Sequence, residues 1–323
     1  MFLHNYHYLK NGEAYILTFL FLLSFFSRIP MIFIFGDTSL DHEWQHLVYN
    51  LVENGQLVYQ SFENGFLLPN LWMPPLYAYY LYFFTFFNFE NQNFILLVLI
   101  SQILLASISI IIFYKINKFF FSKTIAIIGS IIFSLFPLHV YACSQISSIS
   151  LQVFLTIVFF YFLIETVKKE SFLQLFIFSF VGGLLILLRG EFWAIFVFTI
   201  FYLFLFFKLK LKKVLLIILI TLITTSPYLI RNYYIFEKIT VLESFGYNLW
   251  KGNHPYAKAN SMVQGSEIPN EKILNDIKKI KIDKYYRINF DDLFLNYAIN
   301  NIKLDPIGHL IFFIKKALSF MFI

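Results

Sequence analysis

Long apolar runs separated by short polar interruptions set the pattern of this chain. They lie near residues 14–35, 92–114, 124–142, 149–166, 172–188, 192–207, 213–230 and 307–323. Each approaches the ~20 residues that an α-helix needs to cross hydrocarbon. The pattern predicts an all-α polytopic membrane protein, a bundle of about 8 transmembrane helices. The run Leu76–Phe89 is shorter and reads as interfacial or re-entrant. Between the first two spans, residues 41–54 place Trp44, Leu47, Val48, Leu51 and Val52 at helical spacing, with Gly55 as a stop signal. An amphipathic helix beside a membrane is expected to lie in the interface with its apolar face toward lipid. Residues 231–305 form the only sizeable polar segment, largely helical over 270–303.

These readings divide the chain into a transmembrane core at 1–230 carrying a polar loop at 36–75, a soluble segment at 231–305 and a final helix at 306–323. The last apolar run stops at Ile323 without a polar flank, which reads as a truncated C-terminus.

Basic residues orient the bundle. Lys115, Lys118 and Lys123, then Lys168 and Lys169, then Lys208, Lys210, Lys212 and Lys213 each sit in a short loop and are expected on the cytoplasmic side. A full crossing at Leu76–Phe89 would break that consistency. The loop 36–75 holds Asp37, Asp41, Glu43, Glu53 and Glu63 but no Lys or Arg, so it faces outward. Residues 142–148, 189–191 and 231–305 are expected on the same side. Long loops translocate largely regardless of charge, so the lysines of 231–305 do not oppose this orientation.

Composition narrows the class further. A chain of 323 residues that is 59% hydrophobic and 14% charged, with mean hydropathy +0.69, is not a soluble domain. Its net charge of +6 collects in short loops and reports membrane orientation, not a nucleic-acid partner. The single Cys143 excludes an intrachain disulfide. The first span is followed by no small-residue cleavage site, so it is not a removed signal.

The acidic loop carries the first candidate chemistry. Asp41 opens the amphipathic helix and is the first candidate for a general base on an acceptor hydroxyl, followed by Asp37 and then Glu43. Thr38-x-x-Asp41 also matches a capping box, in which Asp41 would only close the helix N-terminus. His42-Glu43-Trp44-Gln45-His46 is formally H-E-x-x-H, which puts two imidazoles on one helical face where zinc binds in metalloproteases. A third ligand would have to come from Glu53, Glu63, His139 or His254. Further along, Arg231 ends the span at 213–230 and Arg189 ends another. Each is a phosphate clamp or a snorkelling anchor. Gly246-Tyr247-Asn248-Leu249-Trp250-Lys251-Gly252-Asn253 combines turn chemistry with aromatic rings that stack on sugar faces or sit at headgroup level.

Taken in order, Pro227-Tyr228-x-x-Arg231-Asn232-Tyr233 and the Gly246–Asn253 block resemble bacterial GT-C membrane glycosyltransferases. The branch is the one that includes protein mannosyltransferases and the lipid A aminoarabinose transferase. The acidic first loop, Met73-Pro74-Pro75-Leu76-Tyr77, Leu188-Arg189, Asn296-Tyr297-Ala298, Ile302 and Asp305-Pro306 extend the likeness. The resemblance implies transfer of a sugar from a polyprenyl-phosphate donor to a lipid, glycan or protein acceptor at the outer face of a bacterial inner membrane, among membrane lipids. It implies a first-loop aspartate as base, Asp41 with Asp37 as the second choice. It implies Arg231, Arg189 and Lys251 on the donor phosphate, and Asn232, Tyr247, Asn248 and Asn253 on substrate. It assigns no metal ligands and leaves a divalent metal open as cofactor. Trp72 and Met73 stand where some relatives carry an ionisable residue, and Ser150 and Gln152 where many place a Glu. Two other readings compete: the zinc protease on His42 and His46, and a non-catalytic transporter or flippase. A transporter would carry polar residues mid-span, and the spans here read as almost uniformly apolar.

Overall fold

The computed structural model describes residues 2–40, 42–62, 65–87, 93–169, 171–254, 257 and 271–322. Among them the chain forms 14 helices and one two-stranded hairpin, in two compact units. The first unit comprises residues 1–57 and 74–229, the second 58–73 and 230–323. The first polar loop is therefore shared, its middle clustering with the C-terminal third of the chain.

In the first unit, α1 (Phe2–Phe35) leads into α2 (His42–Asn54), and α3 (Pro75–Thr85) follows. Next come α4 (Phe94–Phe120), α5 (Lys123–Ser134), α6 (Pro137–Ala142) and α7 (Ile149–Lys169). The series closes with α8 (Phe172–Leu188), α9 (Phe192–Leu205) and α10 (Leu211–Phe236), whose last residues belong to the second unit. Four of these helices are long and apolar enough to cross a membrane: Gly12–Phe35 within α1, and α4, α7 and α10. α5, α8 and α9 are apolar but shorter. The 11 residues of α3 rise only ~16 Å, about half the hydrocarbon thickness.

Three expectations need correction. The run 124–142 is not one helix: Pro137 opens α6 and holds Phe136 extended (φ −62°, ψ 116°). Proline has no N–H to continue α5 and its ring restricts the residue before it. The apolar face of α2 does not turn to lipid. Leu47, Val48 and Leu51 are buried, Val48 shares a core with Tyr77 and Leu81 of α3, and Trp44 meets the Tyr77 ring edge-on at 4.8 Å. Nor are the spans uniformly apolar: Arg28 of α1 and Gln102 of α4 are both fully buried.

Packing between spans relies on close approach. A Cβ on Gly183 of α8 would stand 2.7 Å from the Thr224 side chain of α10, and Thr221 donates to the Ser179 carbonyl at 3.0 Å. Small residues bring the two backbones near enough for that interhelical bond. Phe159, Phe178, Phe192 and Phe196 fill the neighbouring core.

In the second unit, β1 (Val58–Ser61) pairs antiparallel with β2 (Leu67–Pro69), Gln60 opposite Leu68, with an irregularity between Val58 and Gln60. α11 (Phe245–Asn253), α12 (Glu271–Lys278), α13 (Tyr286–Leu304) and α14 (Pro306–Phe322) follow. A Cβ on Gly246 would stand 2.2 Å from the Asp291 carbonyl, so only glycine lets α11 and α13 come this close. Trp250, Ile273, Phe294 and Ala298 form the core beside that contact. The segment expected as a final span is helical in α14, and its Lys316 donates to the Gly252 carbonyl at the end of α11.

Candidate functional site

The turn after α1 is fixed by tertiary hydrogen bonds. Asp37 N–H donates to the Ser144 carbonyl at 3.1 Å, and Asp37 Oδ2 accepts the Ile146 N–H at 2.6 Å. Gln145 Nε2 donates to the Phe35 carbonyl at 2.6 Å. The non-helical stretch between α6 and α7 is thereby stitched to the end of α1, although more than a hundred residues separate them. Gln102 holds the same stretch from α4, donating through Nε2 to the Gln145 carbonyl at 2.9 Å and the Cys143 carbonyl at 3.4 Å. Its Oε1 accepts the buried Tyr77 hydroxyl at 3.1 Å.

Deeper along α1, Arg28 donates to the Ser24 carbonyl at 2.9 Å, to Ser24 Oγ at 2.8 Å and to Ser27 Oγ at 3.3 Å, and bonds His139 Nδ1 of α6 at 3.2 Å. These are neutral partners for a buried guanidinium, and they tie α6 to α1.

Of the expected bases, Asp41 lies outside the described residues. Asp37 is partly buried, and among the described residues its Oδ1 accepts no hydrogen bond, so one carboxylate oxygen is bound and one is not. Glu43 is exposed on the first turn of α2. His46 is exposed on the same helix, and among the described residues no three His, Cys, Asp or Glu side chains gather closely enough to hold a metal ion.

Arg189 caps α8, its N–H donating to the Leu185 carbonyl at 2.8 Å. Its Nε donates to Gln152 Oε1 of α7 at 2.9 Å. A glutamine in that place orients the guanidinium without neutralising it.

The remaining expected residues sit in the second unit. Arg231 donates through Nη1 to the Asn70 carbonyl at 2.6 Å and to Asn232 Oδ1 at 2.7 Å. Asn232 is fully buried, and its Nδ2 donates to the Thr240 carbonyl at 2.6 Å. Asn70, also buried, folds the approach to Pro74 by accepting the Trp72 and Met73 N–H groups at 3.2 and 3.0 Å and donating to the Met73 carbonyl at 2.7 Å. Lys251 lies 5.7 Å from the Tyr247 ring centroid, Asn248 is exposed, and Asn253 Nδ2 donates to the Leu249 carbonyl at 2.8 Å.

Tyr247 joins a block of aromatic rings with Trp72 at 5.3 Å and Phe290 at 5.6 Å. Arg287 lies over Tyr59 at 4.5 Å and Trp72 at 4.8 Å and donates to Gln60 Oε1 at 2.9 Å. This pins the hairpin and Trp72 to α13 by cation–π attraction and a directed hydrogen bond. Near this block, burial pushes the Glu243 carboxyl up, with the Lys238 ammonium at 3.4 Å opposing.

Sequence reasoning missed Arg28, Gln102, Arg287 and Asp291. The first two were visible as polar intrusions in apolar runs, which deserve a functional reading by default. No local signal marks the other two, whose roles arise from tertiary contacts.

The family model described as dolichyl-phosphate-mannose-protein mannosyltransferase matches residues 73–230. No curated protein matches the chain at a meaningful level.

Proposed function

We propose, from the likeness of residues 73–230 to the GT-C membrane glycosyltransferases of the protein mannosyltransferase type, that the chain moves a sugar from a polyprenyl-phosphate donor to a lipid, glycan or protein acceptor at the outer face of the membrane. The base is a first-loop carboxylate: Asp41 by its place in the resemblance, Asp37 by its geometry. It takes the proton of the acceptor hydroxyl as that oxygen bonds the anomeric carbon. The bond from that carbon to the phosphate oxygen breaks, and the polyprenyl phosphate leaves with the electron pair. Charge thus develops on the leaving phosphate, where a guanidinium stabilises it more strongly in the transition state than in the donor. Arg189, oriented by a neutral glutamine, and Arg231 are the proposed groups, with Lys251 third. Asn232, Tyr247, Asn248 and Asn253 are proposed to shape the substrate end.

The observation that supports this reading best is the Asp37 carboxylate, held on one oxygen by the Ile146 amide while, among the described residues, the other accepts no hydrogen bond. A base in this position is worth about 10²–10⁴ in rate. Purified protein would be incubated with polyprenyl-phosphate mannose, the donor class in the family's description, and loss of the carrier-linked sugar followed in wild type, Asp41→Asn and Asp37→Asn. One of the two substitutions is expected to lower turnover about 10²–10⁴-fold. Full turnover in both would remove the base assignment.

A further inference from the structure

We infer that Gln102, buried inside the spanning helix α4, is a positioning residue for the first-loop carboxylate, acting through the stretch between α6 and α7 with Tyr77 as its hydrogen-bonding partner. The inference rests on the reading of Asp37 as part of the catalytic loop.

Gln102 has no exposed surface, and its amide lies in a helix in which Ser101, Ser107 and Ser109 each bond back to their own backbone. It instead reaches out of the helix in three directions. The Tyr77 hydroxyl donates to Oε1, while Nε2 faces the Cys143 and Gln145 carbonyls. The flipped amide would set an oxygen against two carbonyl oxygens, so the carbonyls select the orientation and the tyrosine, which can donate, satisfies the oxygen that remains.

Gln145 is then held at both ends. Its carbonyl is bound by Gln102 from α4, and its side chain binds the Phe35 carbonyl at the end of α1. The next N–H, that of Ile146, points at Asp37 Oδ2. The carboxylate's placement therefore depends on a backbone amide whose neighbour is anchored by Gln102. Misplacing a catalytic group by about an ångström costs up to about 10²-fold in rate.

Cys143, the chain's single cysteine, is fully buried in the stretch that Gln102 holds and gives a built-in reporter of its release. Gln102→Leu removes all three bonds. Gln102→Glu keeps an acceptor for Tyr77 but sets oxygen against the two carbonyls. Tyr77→Phe removes only the hydroxyl that satisfies Oε1, and Gln102→Asn keeps the amide on a shorter arm.

In detergent-purified protein that remains monodisperse, N-ethylmaleimide is expected to label Cys143 at least about tenfold faster in Gln102→Leu and Gln102→Glu than in wild type, and only modestly faster in Tyr77→Phe. With polyprenyl-phosphate mannose as donor, kcat is expected to fall about 10- to 100-fold in the two Gln102 variants while KM for the donor stays within about twofold, with Gln102→Asn between them and wild type. Should Gln102→Leu not yield monodisperse protein, Gln102→Asn and Tyr77→Phe supply the same two readouts.

Unchanged labelling in the variants overturns the inference, as does faster labelling with unchanged kcat or a rise in KM alone. The labelling needs no donor. A wild-type protein that consumes no carrier-linked sugar would defeat the proposed function, while the labelling would still decide whether Gln102 holds the stretch around Ile146.

Discussion

Asp37, just beyond α1, and Asp291, within α13, both accept main-chain N–H groups from a distant part of the chain, yet they are bonded to different extents. Asp291 is 3% exposed and spends both oxygens, Oδ2 on the Gly246 N–H at 2.9 Å and Oδ1 on the Tyr247 N–H at 2.8 Å. It satisfies two donors at the start of α11, where no helical partner exists for them and the helix dipole favours a negative charge. Asp37 is partly exposed, and among the described residues it spends only Oδ2. The first bonding pattern is that of a clamp, because each oxygen holds a main-chain N–H in a closed contact. The second fixes a carboxylate in place while keeping lone pairs available.

The sharpest way to break that contrast is to remove each side chain and measure stability. Asp291→Ala leaves two N–H groups without partners in a closed contact, and each is expected to cost about 1–3 kcal/mol. The thermal midpoint in detergent should fall by several degrees or the variant should fail to fold. Asp37→Ala loses one bond at a site that water reaches, and about 1 kcal/mol is expected. Equal destabilisation by the two substitutions would erase the distinction drawn here. Donor turnover adds the opposite ordering: Asp37 variants lose activity in excess of their loss of stability.

A smaller effect is expected when the clamp is strained instead of removed. Gly246→Ala places a Cβ within 2.2 Å of the Asp291 carbonyl and 2.7 Å of the Leu295 side chain, both on the α13 helix that carries the clamp. Backbone cannot yield as a side-chain end can, so α11 must tilt or shift. About 1–3 kcal/mol is expected, read as a lower thermal midpoint. If Gly246→Ala and Asp291→Ala combine with less than the sum of their separate effects, the glycine and the carboxylate serve one contact.

The membrane character of the chain was plain in the sequence because hydrophobic run length reports directly on the solvent an element needs. α4, α7 and α10 appear close to where the apolar runs placed them, and the amphipathic spacing of Trp44, Leu47, Val48 and Leu51 marked α2. What covers that apolar face was not legible, since lipid and α3 satisfy the same periodicity. Pro137 was a visible break inside a run that hydropathy alone treats as continuous. The candidate site was legible as residue types, not as partnerships. Arg231 and Arg189 stood out at helix ends, but that one meets the Asn70 carbonyl and the other Gln152 depends on contacts 161 and 37 residues away in sequence. The stitch at Asp37 joins residues 109 apart and uses a backbone amide, which carries no sequence signature at all.

The far end of α11 offers the smallest and most selective test of this contrast. Asp291 holds the helix start through two main-chain N–H groups, whereas His254, just past the helix end, is buried against Trp250 with ring centroids 4.9 Å apart. Burial lowers the His254 pKa, and the Lys316 ammonium, which also binds the Gly252 carbonyl, lowers it further. A histidine whose folded value lies below its unfolded value binds protons more readily in the unfolded chain. Its contribution to stability is therefore complete above the unfolded value, near pH 6.5, and is lost as pH falls from there through the folded value. Wild-type protein should show a lower thermal midpoint at pH 5.5 than at pH 7.5. His254→Phe keeps the ring against Trp250 and should flatten that dependence. Lys316→Met removes the second cause and should weaken it. An acid-induced loss of equal size in His254→Phe would assign the sensitivity to other titratable groups, Asp276 not among them. The bonds from Lys279 and Tyr297 hold Asp276 below the usual carboxylate range, so its stabilising effect persists to lower pH than the window in which His254 titrates.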